Sequence, residues 1–205
     1  MDMAEKIYKN IIMKKIIIYS LIILFNNNCS SQNNKKMENF NISYFESDNI
    51  SLMEKTIIKN DTIEKIGFIG NGYYKITSTV NSPFVEKKYF FQNTNLESEG
   101  NFFYEVPIGH YKNYDSLGNL KSEINFDTQR KFSIDQLIDK MKLDFNTDLL
   151  KNTEEKSVSV TISSSNVLSY DIVLKNFYSS GLHRQINISA EDGKVLSDRE
   201  MYYKK

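Results

Sequence analysis

The chain has 205 residues, of which 26 are basic and 26 acidic, so its formal net charge is zero. A protein that neutralises nucleic-acid phosphates needs a concentrated basic face, whereas here the two signs of charge are interspersed, so we expect no nucleic-acid partner. One cysteine and two histidines are too few for an internal disulfide or for a zinc site built from Cys and His, and we expect no metal and no cofactor.

The N-terminal segment has the pattern of an export signal. Met13, Lys14 and Lys15 precede a run of ten mostly apolar residues, 16–25, which a polar stretch follows. A basic start and about 7–15 apolar residues are typical of a secretory signal peptide, and the run is shorter than the roughly 20 residues that span a bilayer. We expect a signal peptide over residues 13–28, with residues 1–12 preceding the true translation start.

The single cysteine, Cys29, comes directly after this signal. A lone cysteine in an exported chain forms an intermolecular bridge, stays a free thiol or is modified, and this position favours modification. The arrangement resembles bacterial lipoprotein signals, which implies that Cys29 becomes the first mature residue and carries acyl chains. The protein would then be exported and held by its lipid at the outer membrane or on a periplasmic face. A plain signal peptide or an uncleaved anchor, with an incidental Cys29, is the alternative.

Short strands are predicted after a polar, flexible tether at residues 29–39. From residue 40 to 128, segments rich in aromatic and β-branched residues alternate with clusters of Asn, Gly and Ser. Residues 95–102 recur as residues 119–126, with six of eight positions identical at an offset of 24. Such a period is typical of one hairpin per repeat, stacked on its neighbours. In each copy we expect the Ser-Glu pair to lie on the solvated side or at the strand edge, and the leucine and closing phenylalanine to face the core: Leu96, Phe102, Leu120 and Phe126.

A resemblance to a known repeat is carried by residues 109–123, which read Gly-His-Tyr-Lys-Asn-Tyr-Asp-Ser-Leu-Gly-Asn-Leu-Lys-Ser-Glu. This segment resembles the MORN-like tandem hairpins of bacterial proteins labelled as YwqK-type antitoxins, with Tyr111 where those repeats usually have Trp. The resemblance implies a hairpin scaffold and an antitoxin-like binding role. A scaffold of this kind does not by itself specify what its face binds.

A helix is predicted to begin at Ser133, because Ser133 and Gln136 form a capping box and Phe132 and Leu137 are spaced as a hydrophobic staple. Apolar residues at helical spacing continue to Phe145, so the helix is expected to stop near Asn146 and Thr147, and three strands of alternating polarity follow. We therefore expect an αβββ domain over residues 129–205. The sequences Tyr-Asp-Ile-Val at 170–173 and Gly-Lys-Val-Leu at 193–196 resemble the PepSY domain of bacterial envelope proteins, which implies a peptidase-restraining or adaptor role.

Few residues are candidates for chemistry. His110 and His183 are expected to be structural, because no cysteine is left to pair with either in nucleophilic catalysis. A solvated helix face is favoured by the spacing of four carboxylates: Asp135, Asp139, Asp144 and Asp148. The segment at 115–119 is expected to be a plain turn, because it lacks the later acidic ligands of a calcium loop. Residues 61–63 and 115–117 resemble an O-glycosylation motif of exported Bacteroidetes proteins, which implies modification of Thr62 and Ser116.

Together these patterns predict an α+β fold that is mostly antiparallel β, with stacked β-hairpin repeats followed by the small αβββ domain. The first hypothesis for function is a monomeric, non-enzymatic, membrane-anchored protein-binding module of the cell envelope, immunity-like, antitoxin-like or peptidase-restraining. Its basis is a broad hairpin face rich in Tyr and Phe, aromatic residues that are enriched at protein interfaces. Two alternatives stay open: a hydrolase or carbohydrate-active enzyme that uses the acidic residues, and a structural envelope protein without a discrete ligand.

Overall fold

The computed structural model describes residues 38–43, 54–151, 156–162, 167–175 and 182–202. The predicted signal peptide and Cys29 lie outside the described residues. Within them, antiparallel strands form two sheets, with the helix α1 (Ile134–Phe145) between the sheets in chain order. None of the described helices has the length and apolar character that crossing a bilayer requires. The two antiparallel sheets and the helix confirm the prediction of a mostly antiparallel α+β fold.

The first sheet contains β1 (Glu54–Lys59), β2 (Thr62–Ile69), β3 (Gly72–Thr79), β4 (Phe84–Phe91), β5 (Leu96–Phe103), β6 (Val106–Tyr114) and β7 (Leu120–Asn125). A 3₁₀ helix (Phe126–Gln129) connects this sheet to α1. The second sheet contains β8 (Lys156–Ile162), β9 (Leu168–Lys175), β10 (Leu182–Ser189) and β11 (Val195–Tyr202).

The strands of the first sheet follow one another in chain order, each antiparallel to the next. Two-residue turns join β1 to β2 and β2 to β3, and the first turn residues, Asn60 and Gly70, have φ angles of 54° and 58°. Asn and Gly are the residues that adopt this left-handed backbone most readily. The hairpins therefore lie side by side in one layer.

The two copies of the sequence repeat occupy β5 and β7 with the same strand pairing. In the hairpin of β4 and β5, Tyr89 pairs with Ser98 and Phe90 pairs with Leu96, with a register shift between them. In the hairpin of β6 and β7, the residues 24 positions later pair in the same way: Asn113 with Ser122, and Tyr114 with Leu120. The internal sequence repeat thus coincides with two hairpins of equivalent register.

The predicted burial of the repeat holds for one leucine only. Leu96 is 5% exposed, as expected, whereas Leu120 is 54% exposed, because β7 is the outermost strand of the sheet. The prediction for Phe102 is also wrong: the register shift between Leu96 and Ser98 turns Phe102 to the opposite side of the sheet from Leu96. Ser98, expected to be solvated, is 5% exposed.

The first sheet has one face that contributes to the hydrophobic core, here called the core face. Residues paired across neighbouring strands share a face, and this one carries five residues that are at most 5% exposed: Ile66, Phe90, Leu96, Phe103 and Val106. At one end of the face, Phe103 and Val106 share a single core with α1 and the second sheet. The described residues from Glu38 onward accordingly belong to one compact unit, and residues 128 and 129, the predicted domain boundary, lie inside the 3₁₀ helix.

The start and the end of α1 confirm the prediction from the capping box. The Ser133 hydroxyl accepts a hydrogen bond from the Gln136 amide at 3.2 Å, and the Gln136 side chain accepts one from the Ser133 amide at 2.8 Å. The helix ends at Asn146, whose φ of 49° is left-handed. Its buried residues are Leu137, Ile138 and Met141.

The second sheet has four strands in the order β11-β10-β9-β8, one strand more than the predicted αβββ arrangement. The additional strand, β11, was missed because it reads Val-Leu-Ser-Asp-Arg-Glu-Met-Tyr and lacks apolar alternation. A bidentate ion pair helps to hold it: Arg184 of β10 donates from Nε and Nη2 to Asp198 at 2.8 and 2.7 Å. Cross-strand pairs of opposite charge favour such pairing.

Residues Glu38 to Phe40 lie on the core face of the first sheet. Glu38 accepts hydrogen bonds from Lys75 at 2.6 Å and from Lys88 at 2.5 Å. Phe40 is 8% exposed, and its ring stacks on Tyr73 with the centroids 4.6 Å apart. Two residues of the predicted tether, Glu38 and Asn39, are therefore docked, since Asn39 also forms a β-bridge with Asn95.

Candidate binding face

Consecutive aromatic residues of the first sheet alternate between its two faces. Phe90 of β4 and Phe103 of β5 are 1% and 0% exposed on the core face. Their neighbours Tyr89 and Phe102 lie on the other face, where both are only half-buried. Side chains of a strand point alternately to either side, so two consecutive aromatic residues of one strand cannot both face the core.

We define the aromatic face by five half-buried side chains on the side opposite the core face: Tyr74, Tyr89, Phe102, Tyr111 and Phe126. Tyr74 of β3 pairs with Tyr89 of β4, and Tyr89 pairs with Ser98 of β5. Among the residues that the structure describes, Glu38 to Phe40 and residues of α1 pack on the core face. The aromatic face thus spans strands β3 to β6 and the start of the 3₁₀ helix.

Tyr111 is the centre of this face. Its ring is 6.3 Å from the ring of Phe102, at 87°, and 6.3 Å from the ring of Phe126, at 74°. Phe102 and Phe126 are equivalent positions of the two repeat copies, 24 residues apart. Edge-to-face contacts of this kind are favourable beyond the area they bury, so Tyr111 fixes both phenylalanines from the strand between them.

Gly100 leaves the room that the ring of Tyr111 occupies against the sheet, because glycine has no Cβ. A Cβ atom at residue 100 would lie 2.5 Å from Cδ2 of Tyr111, which is far inside van der Waals contact. In the second copy the equivalent residue is Ile124, which pairs with Tyr111 across β6 and β7. The Tyr111 hydroxyl also donates to Ser98 Oγ at 2.9 Å. One of the two differences between the repeat copies therefore has a packing cause.

Polar groups at the edge of the aromatic face are paired with one another. The Tyr74 hydroxyl donates to Glu54 Oε2 at 2.5 Å, and burial together with this bond raises the pKa of Tyr74 to about 12. Lys87 lies 4.4 Å from the centroid of the Phe102 ring and forms an ion pair with Glu105 at 2.7 Å. Burial also raises the pKa of Tyr89. At neutral pH the phenols of Tyr74 and Tyr89 are therefore protonated, and the charged side chains at the edge of the face, Lys87 and Glu54, have partners.

The predicted modification sites lie at strand ends. Thr62 is exposed as the first residue of β2, and Ser116 is exposed in the turn between β6 and β7. The Ser116 carbonyl accepts hydrogen bonds from the side chains of Asn93 at 3.1 Å and Asn95 at 2.8 Å. Both hydroxyl residues are thus on the surface, and the turn that carries Ser116 is tied to the neighbouring β4–β5 turn.

The Asp115 segment forms a turn between β6 and β7. Asp115 Oδ1 accepts from the amides of Leu117 at 3.0 Å and Asn119 at 2.8 Å. Hydrogen bonds from the Asn119 side chain and amide hold the pKa of Asp115 below its ordinary value. Across the residues that the structure describes, no group of three or more His, Cys, Asp or Glu side chains is arranged to hold a metal ion.

The two histidines lie on strands of different sheets, and the four carboxylates lie on α1 or just after it. His110 Nδ1 lies 2.7 Å from Glu123 Oε1 on the neighbouring strand, and His183 lies on β10. Asp135 and Asp144 are separated by nine residues of α1, or about 14 Å of helix rise. Asp144 pairs with Lys140, and Asp148 accepts from the Leu150 amide at 3.0 Å. The helix thus separates Asp135 from Asp144, whereas Asp135 and Asp139, four residues apart, are neighbours on one face of it.

The sequence pattern did not identify Gly100 beneath Tyr111 or the charge cluster at Glu38. The repeat does carry a signal for Gly100, because the equivalent position of the second copy is Ile124. The strand register is needed to interpret this difference, since it shows that Tyr111 lies beside both positions. No protein-family model matches the chain, and neither a curated protein nor a solved structure matches it.

Proposed function

We propose that this protein is a non-enzymatic, membrane-anchored protein-binding module of the cell envelope, immunity-like, antitoxin-like or peptidase-restraining in its action. Its partner docks on the aromatic face around Tyr111. The observation that carries this proposal is the placement of Tyr89 and Phe102 on the side of the sheet away from the core, where each stays half-buried.

The chemistry of the face favours a protein partner. Tyrosine rings offer large contact area with few rotatable bonds and a hydroxyl for hydrogen bonding, which is why they are common among interface hot spots. Here the rings are held in place by Gly100, by Ser98 and by edge-to-face contacts. The charged groups at the rim, Lys87 and Glu54, already have intramolecular partners. A mainly apolar and hydrogen-bonding partner surface fits this arrangement better than a strongly charged one.

The same proposal includes a MORN-like repeat scaffold, a PepSY-like domain and a lipid anchor. The equivalent registers of the two hairpins support a MORN-like repeat scaffold, and the helix with its antiparallel sheet supports a PepSY-like domain, here with an added strand. Lipidation at Cys29 would hold the protein at the membrane, where several acyl chains bind stably and one chain binds only marginally.

Site-specific photo-crosslinking tests the partner. A photoreactive phenylalanine analogue replaces Tyr89 or Phe102 in the full chain, which is expressed with its own N-terminal segment, irradiated in cells and purified from membranes. We expect the same discrete protein adduct from both positions. Leu143, 81% exposed on α1, is the matched control and should give no such adduct. Equal adducts from Leu143, or none from the two aromatic positions, would contradict the proposal.

Anchoring is tested separately by labelling with radioactive palmitate. We expect label on the wild-type chain and none on the Cys29→Ser variant. Recovery of an unlabelled wild-type chain from the cytosol would contradict the anchored state, whatever the outcome of the crosslinking.

A further inference from the structure

A concave surface lies on the core face, on the opposite side of the first sheet from the aromatic face. The ends of β2 to β6 and the 3₁₀ helix surround an open cavity of about 490 Å³, within the range of roughly 300–1,000 Å³ typical of small-molecule sites. An adjoining cavity of about 200 Å³ shares Phe84, Ile108 and Asp127 with it and reaches α1. The lining residues that matter chemically are Thr77, Thr79, Phe84, Glu86, Asn101 and Asp127.

The two carboxylates of the large cavity are already neutralised. Glu86 lies 3.3 Å from Lys88, and Asp127 lies 3.3 Å from Arg130. The Arg130 side chain is 4% exposed, and its Nη2 also donates to the Pro107 carbonyl at 2.6 Å. A cationic ligand would have to compete with these pairs. A carboxylate has about four lone-pair positions, so each can still accept hydrogen bonds from a neutral donor.

Uncharged polar groups complete the lining. Among the residues that the structure describes, the side chains of Thr77, Thr79 and Asn101 form no hydrogen bond with one another or with any neighbour. Hydroxyl and amide groups both donate and accept hydrogen bonds. This combination of acceptors and mixed donors is complementary to a ligand that carries several hydroxyl groups.

Phe84 adds an apolar platform. It is 38% exposed, and its ring is tilted against the ring of Phe103, a fully buried core residue, at a centroid distance of 5.2 Å. The ring is therefore held in position while one side stays accessible. Small-molecule sites typically combine such an aromatic surface with a few placed polar groups that fix orientation.

We propose that this cavity binds a neutral saccharide, with the C–H face of a sugar ring on Phe84 and its hydroxyl groups bonded to Glu86, Asn101 and Asp127. The site is independent of the aromatic face and adds a second ligand class to the protein. It binds the sugar without any reaction being required of Glu86 or Asp127.

The test begins with the purified full chain on an array of neutral oligosaccharides, with spermine as a cationic competitor probe. The best array oligosaccharide is then titrated calorimetrically against the wild type and variants. We expect Asn101→Ala and Phe84→Ala each to weaken binding by about tenfold, the loss of one good contact. Phe68→Ala is the matched control, because Phe68 is 43% exposed on the core face but does not line the cavity.

Phe84 touches the core, so its variant can lose stability. Asn101 is exposed and its side chain bonds to no described residue, which makes Asn101→Ala the decisive change, with thermal unfolding as the check on folding. Three results would each overturn the proposal: no neutral oligosaccharide bound above background, unchanged affinity in Asn101→Ala, or stronger binding of spermine than of every array sugar.

Discussion

The ring of Tyr111 lies directly against Gly100, close enough that a Cβ at residue 100 would be 2.5 Å from Cδ2 of the ring. Gly100 therefore sets the height of Tyr111 above the sheet, and with it the spacing of the phenylalanines at 102 and 126. The first prediction follows from this contact.

Gly100→Ala should destabilise the protein by about 1–3 kcal/mol, because the added methyl forces the ring out of its position, as in an overpacked core. The Tyr111→Ala variant removes the ring, so in the double variant the methyl has room. A double-mutant cycle in urea should then show a coupling of about 1 kcal/mol or more. Additive effects would mean that the ring and the glycine do not constrain each other.

The repeat leucines make a matched pair for stability measurements. Leu96→Ala should lower the free energy of unfolding by roughly 2–5 kcal/mol, as for other buried leucines, because Leu96 is 5% exposed. Leu120→Ala should change it by about 0.5 kcal/mol or less, because Leu120 is 54% exposed on the outermost strand. Urea unfolding of both variants checks this, and similar losses in the two would refute the assigned burial.

Glu38 should make stability depend on pH on the acid side. Partial burial alone would raise the pKa of Glu38, but hydrogen bonds and positive charge from Lys75 and Lys88 outweigh it and hold the pKa below its ordinary value of 4.5. A carboxyl whose pKa is lower in the folded state stabilises above its ordinary pKa and loses that contribution as the pH falls through the folded value.

We therefore expect Glu38→Gln to reduce the free energy of unfolding by about 1 kcal/mol at pH 7, with the difference from wild type shrinking as the pH falls below 4.5. Chemical unfolding of both proteins at a series of pH values measures this difference in the free energy of unfolding. Glu97→Gln is the control, because Glu97 is exposed and has no ion pair among the described residues. A difference that stays constant with pH would contradict the assigned role of the two lysines.

The Glu54 carboxylate should keep the Tyr74 phenol protonated into strongly alkaline solution. Burial is the largest cause of the pKa of about 12, and the hydrogen bond to Glu54 adds to it. Glu54→Gln removes the negative charge, so the pKa of Tyr74 should fall toward its ordinary value of 10.0 without reaching it. NMR titration of Cζ-labelled tyrosine, with Tyr74→Phe to assign the signal, would show the shift; an unchanged pKa would argue against the contact.

Local signals predicted the helix well, because the capping box at Ser133 and the apolar spacing to Phe145 depend only on neighbouring residues. The side on which Phe102 lies could not be predicted, because it depends on one register shift between β4 and β5. The exposure of Leu120 depends on where the sheet ends, and that is a property of the whole chain.

The candidate sites were harder still to predict. The docking of Glu38 needs lysines 37 and 50 residues later in the chain, and the saccharide cavity combines Glu86, Asn101 and Asp127 from two strands and the 3₁₀ helix. No periodicity relates such residues in the sequence. The aromatic pattern did predict that some rings must lie outside the core, since neighbouring strand residues alternate between faces.

The charged outer strand β11 has a consequence for how the protein behaves when it is concentrated. Edge strands present unpaired backbone groups that can template intermolecular sheets, and charged side chains are one of the ways in which natural proteins discourage that growth. Asp198, Arg199 and Glu200 occupy three consecutive positions of β11. Neutralising Arg199 and Glu200, which leaves the ion pair of Asp198 with Arg184 in place, should therefore speed the formation of fibrillar aggregates before it changes the fold.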